Sequence, residues 1–153
     1  MPRGERRSDR MRSIEALSNR EAQDLAARME RQAQVVRDAE KRLDELSEYL
    51  HGYEIERAEK SRNGGVSAMQ LTETHLFMER LREAVTLQVE AVEKSRSGYE
   101  ACRAKWIAQH VRTSALGSAV HRFEAEETRE VVQREQSIQD EIAARFHKPP
   151  NED

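Results

Sequence analysis

Histidine and cysteine are the side chains best suited to catalysis or metal binding, and this 153-residue chain has five histidines and one cysteine. Helical metal sites often place two ligands four residues apart, and a nucleophile needs a neighbouring base. No two histidines have that spacing, and Cys102 has no histidine at a ligand spacing. The histidines are His51, His75, His110, His121 and His147. With no phosphate-binding glycine loop and no nucleophile elbow, the sequence predicts a protein that is not an enzyme and binds no metal or other cofactor.

The composition favours long helices with a narrow apolar contact rather than a wide globular core. Charged residues make up 36% of the chain, aliphatic and aromatic residues 37%, and the mean hydropathy is -0.93. Carboxylates alternate with arginines and lysines, as they do on a solvated helix face with ion pairs. The formal net charge of -3 provides no basic field, so no nucleic-acid partner is predicted.

Two stretches carry apolar residues at alternating steps of three and four, which is the repeat of a coiled coil. The positions of this repeat are called the seam. In the first stretch they are Ala22, Leu25, Met29, Val36, Ala39, Leu43, Leu46, Leu50 and Tyr53. In the second they are Met78, Leu81, Val85, Val92, Tyr99, Cys102, Trp106, Leu116, Val120 and Phe123. Polar residues fill the remaining steps at Gln32, Gln88, Ser95, Gln109 and Thr113.

The two stretches are symmetric about Gly65, which predicts that they pair as antiparallel helices with Tyr53 opposite Met78. Asn63-Gly64-Gly65 supplies the left-handed backbone that ends a helix. The predicted fold is therefore all-α: an antiparallel coiled-coil hairpin that turns at these three residues. Helix 1 is expected at about 10–60, the turn at 61–66 and a longer helix 2 at about 67–147. Residues 1–148 would form one domain, followed by a disordered tail at 149–153.

The second helix would extend beyond the first from about residue 124 onward, so its end would have no partner helix. It carries an apolar stripe that is out of step with the seam and consists of Val131, Ile138, Ile142 and Phe146. An uncovered apolar stripe usually marks a contact surface. The alternative is a frayed or folded-back tail. The nearby seam layers, such as Ser18 opposite Thr113, are weakly apolar, so this open end is expected to be mobile.

A second surface is predicted beside the seam near the turn. Tyr49 is not a seam residue but lies one helical turn from Tyr53, and Phe77 flanks the seam on the other helix. Together with residues spaced three and four apart along each helix, they would line one side of the hairpin, partly in the seam and partly exposed: Arg42, Leu46, Tyr49 and Tyr53, then Phe77, Leu81, Ala84 and Gln88. Half-buried Tyr and Phe are typical of interface anchors. The alternative is that these side chains pack into a core that is wider than the seam.

The chain lacks the features of an exported or membrane-spanning protein. Its first residues have no apolar signal segment, and no stretch has the ~18 to 20 apolar residues of a membrane span. A cytosolic protein with no direct membrane insertion is expected, and the lone cysteine agrees with a reducing compartment. The N-terminal arginines form only a small patch and favour an ordinary disordered terminus: Arg3, Arg6, Arg7, Arg10 and Arg12. The alternative is a contact with phosphate, lipid or an acidic partner.

The order of the motifs resembles the FliJ family, a component of the bacterial flagellar export apparatus. The resemblance covers nearly the whole chain. It rests on L-S-E-Y-L-H-G-Y, the glycine turn, H-L-F-M-E-R-L-R-E-A-V-T-L-Q, the later K-W-I-A-Q-H-V-R, and the end R-F-H-K-P-P. It implies a two-helix antiparallel coiled coil similar to the central stalk subunit of rotary ATPases.

The resemblance also implies partners. A protein of this kind would dock in the hexameric ring of the export ATPase FliI, contact the export gate protein FlhA and escort export chaperones. It would act in the cytoplasm at the flagellar base, peripheral to the inner membrane, in flagellum biogenesis and thereby motility and chemotaxis. The eight residues on this side of the hairpin match the family's gate-binding surface, except that Arg42 and Gln88 stand where the family has Gln and His. The stripe beyond residue 124 would contact the ATPase ring.

Two other functions remain open at this point. One is a stalk of a virulence-type injection system of the YscO kind, which would share the fold. The other is a coiled-coil scaffold without an export role.

Overall fold

The computed structural model describes residues 4–147, which form two long helices that pack against each other. Helix α1 (Arg7–Asn63) has 57 residues and helix α2 (Ala68–Phe146) has 79. The predicted all-α class is confirmed. The disordered tail predicted at 149–153 lies outside the described residues.

The chain divides into two compact units, and each contains a segment of both helices. The turn unit is Gln23–Ile107. The terminal unit takes the described residues up to Ala22 and those from Ala108 onward. The single domain predicted over 1–148 stays a prediction.

In the turn unit, the two helices cover the predicted seam residues except Tyr53, which is 37% exposed. Met78 and Val92 are buried, and half-buried residues recur at steps of three and four along both helices. The seam glutamines reach across to the main chain of the other helix. Nε2 of Gln32 donates to the carbonyl of Ser95 at 3.2 Å, and Nε2 of Gln88 donates to that of Ala39 at 2.9 Å. These bonds offset the cost of removing a polar amide from water.

In the terminal unit, hydroxyl and amide groups occupy the seam where the apolar repeat is weakest. The hydroxyls of Ser18 and Thr113, predicted to lie opposite each other, are 2.7 Å apart. Nε2 of Gln109 donates to the hydroxyl of Ser18 at 2.8 Å. Val120 is buried beyond them. A layer that looks weak in the sequence is thus a closed hydrogen-bond network, which fits only one alignment of the two helices.

Helix α1 begins at Arg7, three residues before the predicted start, because α2 supplies its cap. The backbone N–H and the hydroxyl of Ser8 donate to the two carboxylate oxygens of Glu127, at 3.2 and 2.6 Å. The first N–H groups of a helix have no partner within the helix, and a negative charge there is favourable. Arg12 also bonds Glu124. Ser8, Arg12, Glu124 and Glu127 are called the N-terminal clasp.

The clasp corrects one prediction from the sequence. A disordered terminus is wrong from Arg7 onward, since Arg7, Arg10 and Arg12 are helical. The guanidinium of Arg7 lies 5.9 Å from the centroid of the Phe123 ring, within cation–π range. Arg3 lies outside the described residues.

At the other end, α1 continues to Asn63, past the predicted end near residue 60. Gly64 follows with a φ of +67°, the left-handed conformation that glycine adopts most readily. Helix α2 then begins with a capping box. The hydroxyl of Ser67 accepts the N–H of Gln70 at 3.2 Å, and the side-chain oxygen of Gln70 accepts the N–H of Ser67 at 3.3 Å.

Replacing Gly64 with alanine is expected to lower the free energy of unfolding by about 1 kcal/mol, because a Cβ is disfavoured at positive φ. Gly65→Ala is the matched control, since its φ is not positive and an added Cβ would meet nothing within 4 Å. Urea unfolding followed by circular dichroism measures both variants. Equal stability of the two would contradict a left-handed requirement at Gly64.

The clasp predicts a pH dependence. Hydrogen bonds from the hydroxyl and then the backbone N–H of Ser8 lower the pKa of Glu127 below its usual value. Because this pKa is lower in the folded state, ionised Glu127 stabilises the fold at pH values above its unfolded-state pKa. That stabilisation is lost as the pH falls through the lowered, folded-state pKa. NMR titration should therefore find the Glu127 pKa raised toward its usual value in Ser8→Ala. The same titration curve in both proteins would show that the clasp is not formed in solution.

Candidate functional site

The eight residues predicted to bind the export gate all lie in the turn unit, and the structure places them in two groups. The half-buried group is Leu46, Leu81, Ala84 and Gln88. The exposed group is Arg42, Tyr49, Tyr53 and Phe77. Helix α1 thus supplies most of the exposed residues, and α2 supplies most of the half-buried ones. A role for these residues in gate binding stays a prediction.

Aromatic residues of the two helices come together at the edge of the seam. The rings of Tyr53 and Phe77 meet edge to face, with centroids 4.9 Å apart and planes at 62°. Tyr49 lies one helical turn before Tyr53 and is 66% exposed. An exposed tyrosine next to a packed aromatic pair offers a large contact area to a partner at a small cost in side-chain entropy.

The two flanks of the seam differ in chemistry within the turn unit. On one flank, ion pairs join the helices: Glu40 to Arg96 at 2.7 Å and Glu54 to Arg82 at 3.5 Å. Each of these four residues directly follows a seam residue. Tyr49 and Phe77 directly precede seam residues, so they lie on the other flank, which is called the aromatic flank. A partner can approach the aromatic flank without breaking an ion pair between the helices.

One of the eight residues is already used by the fold. The amide of Gln88 is half-buried and bonds the carbonyl of Ala39, so this group is not free to bind a partner without losing that bond. Arg42, the other position that differs from the family pattern, is exposed beside Asp38 and Glu45.

The terminal unit carries the second predicted surface. Helix α2 continues to Phe146, and all residues from Thr128 to His147 are exposed, so the frayed or folded-back alternative is wrong. The predicted stripe, Val131, Ile138, Ile142 and Phe146, is exposed by 47, 57, 49 and 84%. Val132, which the sequence analysis omitted, is 48% exposed beside it. This set of five residues is called the terminal stripe. No part of the chain between residues 4 and 147 covers it.

The turn unit also has a recess that the sequence analysis missed. It is a shallow, open depression on one face of α1, lined by exposed residues: Glu45, Glu48, Tyr49, Gly52, Tyr53 and Glu56. It is called the α1 recess. The signal in the sequence was Gly52, a glycine inside a long helix, but the apolar repeat carries no information about a position without a side chain.

Between residues 4 and 147, no three or more His, Cys, Asp or Glu side chains are placed to hold a metal ion. In the same range, neither helix includes a segment that is long and apolar enough to span a bilayer.

The fold is a helical coiled coil that leaves large apolar side chains exposed in both units. The chain belongs to the FliJ family: the family model described as flagellar FliJ protein matches residues 7–152. The protein is therefore a flagellar export-related protein, from a family of export components and not a known family of enzymes. No curated protein and no solved structure matches the chain.

A double-mutant cycle on Tyr53→Ala and Phe77→Ala is expected to give a coupling energy of about 0.5 to 1.5 kcal/mol, because the two rings meet edge to face. Tyr49→Ala should change the free energy of unfolding by less than about 0.5 kcal/mol, since its side chain is mostly in water. Chemical denaturation measures all of these values. If Tyr49→Ala lowers the free energy of unfolding as much as Tyr53→Ala does, Tyr49 is part of the packed core rather than of a contact surface.

Proposed function

We propose that this protein is a stalk component of the flagellar export apparatus, with one surface for the export gate and another for the ring of the export ATPase. Its two helices form an antiparallel hairpin that turns at Asn63-Gly64-Gly65. It acts in the cytoplasm at the flagellar base, peripheral to the inner membrane, and escorts export chaperones. It binds no nucleotide and catalyses no reaction.

The observation that carries this proposal is the exposure of Tyr49 beside the Tyr53–Phe77 pair. The chain belongs to a flagellar family, and these residues are among those that the sequence resemblance matches to a gate-binding surface. Large aromatic side chains that protrude from an otherwise charged surface are typical of the anchors that dominate binding energy. The aromatic flank therefore supports the gate as its partner.

The ATPase contact is assigned to the terminal stripe. Four of its five residues are β-branched, and the fifth, Phe146, is 84% exposed. An apolar stripe on a helix with no covering element is the form in which one helix binds a groove of another protein. The terminal stripe is in a different unit from the aromatic flank, so substitutions can separate the two contacts.

The alternatives share the fold but differ in partners. A stalk of a virulence-type injection system would bind the ATPase and gate of that system instead. A scaffold without an export role would bind neither. The family match favours the flagellar system, since its description names the flagellum.

The test is a binding measurement with purified protein against the export ATPase and against the cytosolic part of the gate protein from the same genome. The triple variant Tyr49→Ala, Tyr53→Ala, Phe77→Ala should bind the gate at least about ten-fold more weakly and the ATPase normally, because it removes the aromatic anchors. The triple variant Ile138→Ser, Ile142→Ser, Phe146→Ser should show the reverse pattern.

Each variant has a matched triple control in the same unit. For the aromatic flank it is Met69→Ala, Leu76→Ala, Val89→Ala, which removes exposed apolar side chains of α2 that do not lie on that flank. For the terminal stripe it is Ile14→Ser, Leu17→Ser, Val111→Ser, which are exposed elsewhere in the terminal unit. Both controls should bind like wild type. If wild type binds neither partner, the export role is wrong and the scaffold interpretation replaces it.

A further inference from the structure

Gly52 has no evident structural reason to be a glycine. It lies inside α1, and a Cβ built there would meet nothing within 4 Å. Its φ is not positive, so no backbone requirement explains it. Glycine is among the poorest helix formers, since it costs the most backbone entropy. A glycine at an exposed helical position without internal contacts is suited to a site where another molecule approaches the backbone closely.

The surroundings of Gly52 show what such a molecule would meet. Gly52 leaves a gap between Tyr49, three residues before it, and Tyr53, the residue after it, and these rings belong to the same α1 recess. Glu45, Glu48 and Glu56 complete the lining. The lining therefore combines aromatic rings with carboxylates around a floor that has no side chain.

The lining of the recess has three carboxylates and no basic side chain. Glu56 pairs with Lys60 at 3.2 Å. Within the described residues, Glu45 and Glu48 take part in no ion pair, and both are exposed. Lys41 and Arg42 lie beside Glu45 outside the recess, so Glu48 is the carboxylate of the lining with neither an ion pair nor these basic neighbours. Carboxylates without an ion pair beside tyrosine rings attract a cation, because the negative charge and the electron-rich ring faces both favour a positive group.

We propose that the α1 recess binds a basic side chain, an arginine or a lysine, of a protein partner. The inference rests on the proposed function for the identity of that partner, because the recess shares Tyr49 and Tyr53 with the surface assigned to the export gate. The guanidinium or ammonium group enters beside Gly52, stacks against the tyrosines and faces the carboxylates of Glu45 and Glu48.

The recess is tested first without the gate. The ¹⁵N-labelled protein is titrated with hexa-arginine and, in parallel, with hexa-glutamate, and amide shifts are followed by NMR. Hexa-arginine should shift the amides around Tyr49, Gly52 and Tyr53, and hexa-glutamate should not. Gly52→Leu fills the gap, with a Cβ that meets no atom within 4 Å, and should weaken this binding at least about ten-fold, the equivalent of one well-placed charged contact. Ala58→Leu, on an exposed position of α1 outside the recess, is the control and should bind like wild type.

Shifts spread evenly over the acidic residues of both helices, or binding that Gly52→Leu leaves unchanged, would overturn the inference. Circular dichroism of Gly52→Leu checks that the helix is intact, and a gain in helicity is expected from the better helix former.

The gate protein is then tested with a charge reversal. Glu45→Lys with Glu48→Lys should weaken gate binding at least about ten-fold and should reduce its dependence on salt, since the attraction is screened by ions. Glu90→Lys, an exposed glutamate of α2 outside the recess, is the control. Tighter binding by the double reversal would mean that the partner presents acidic groups, and the inference would be wrong.

The two proposals fail in different ways. If wild type does not bind the gate but hexa-arginine still occupies the recess, the export role is wrong and the recess stands. If the aromatic triple variant loses the gate while Gly52→Leu and the charge reversal keep it, the export role stands and the cation site is wrong.

Discussion

The structure depends on one narrow line of contact, because each helix buries only the stripe that faces the other. Even along this seam most side chains are half-buried, and few are as fully covered as Met78. The area removed from water per residue is therefore small, and so is the apolar stabilisation that comes with it. Under this constraint, the alignment of the helices has to come from contacts that tolerate no shift.

Polar seam groups meet that requirement. Gln32 and Gln88 each bond a carbonyl of the opposite helix, and in the terminal unit Gln109, Ser18 and Thr113 bond one another. Sliding one helix along the other would leave these groups buried without partners, at a cost comparable to the loss of a core side chain. In the described residues, no buried side-chain nitrogen or oxygen lacks a hydrogen bond. The polar layers thus give up apolar burial and gain a defined register.

Much of this arrangement could be predicted from the sequence, because a 3.5-residue repeat is periodic and local. The seam positions, and Ser18 opposite Thr113, followed from spacing alone. The start of α1 could not be predicted in this way. Its cap is Glu127, which is 119 residues away in sequence from its partner Ser8. No local sequence pattern links a carboxylate on one helix to the first turn of another. The α1 recess was missed for a related reason: Gly52 acts through the space it leaves, and periodicity records only side chains that are present.

Beyond Glu127, α2 does not continue the seam, so a longer α1 would not cover the terminal stripe. After Glu127, the steps of three and four that define the seam fall on charged or small polar residues, which are Glu130, Arg134, Ser137 and Glu141. A helix that continued the seam would face these residues and bury their charges. The stripe that contains Val131 and Ile138 points to a different side of α2, because it is out of step with the seam. The seam therefore ends chemically at Glu127, where the carboxylate caps α1, and the apolar surface beyond it is suited to a separate protein.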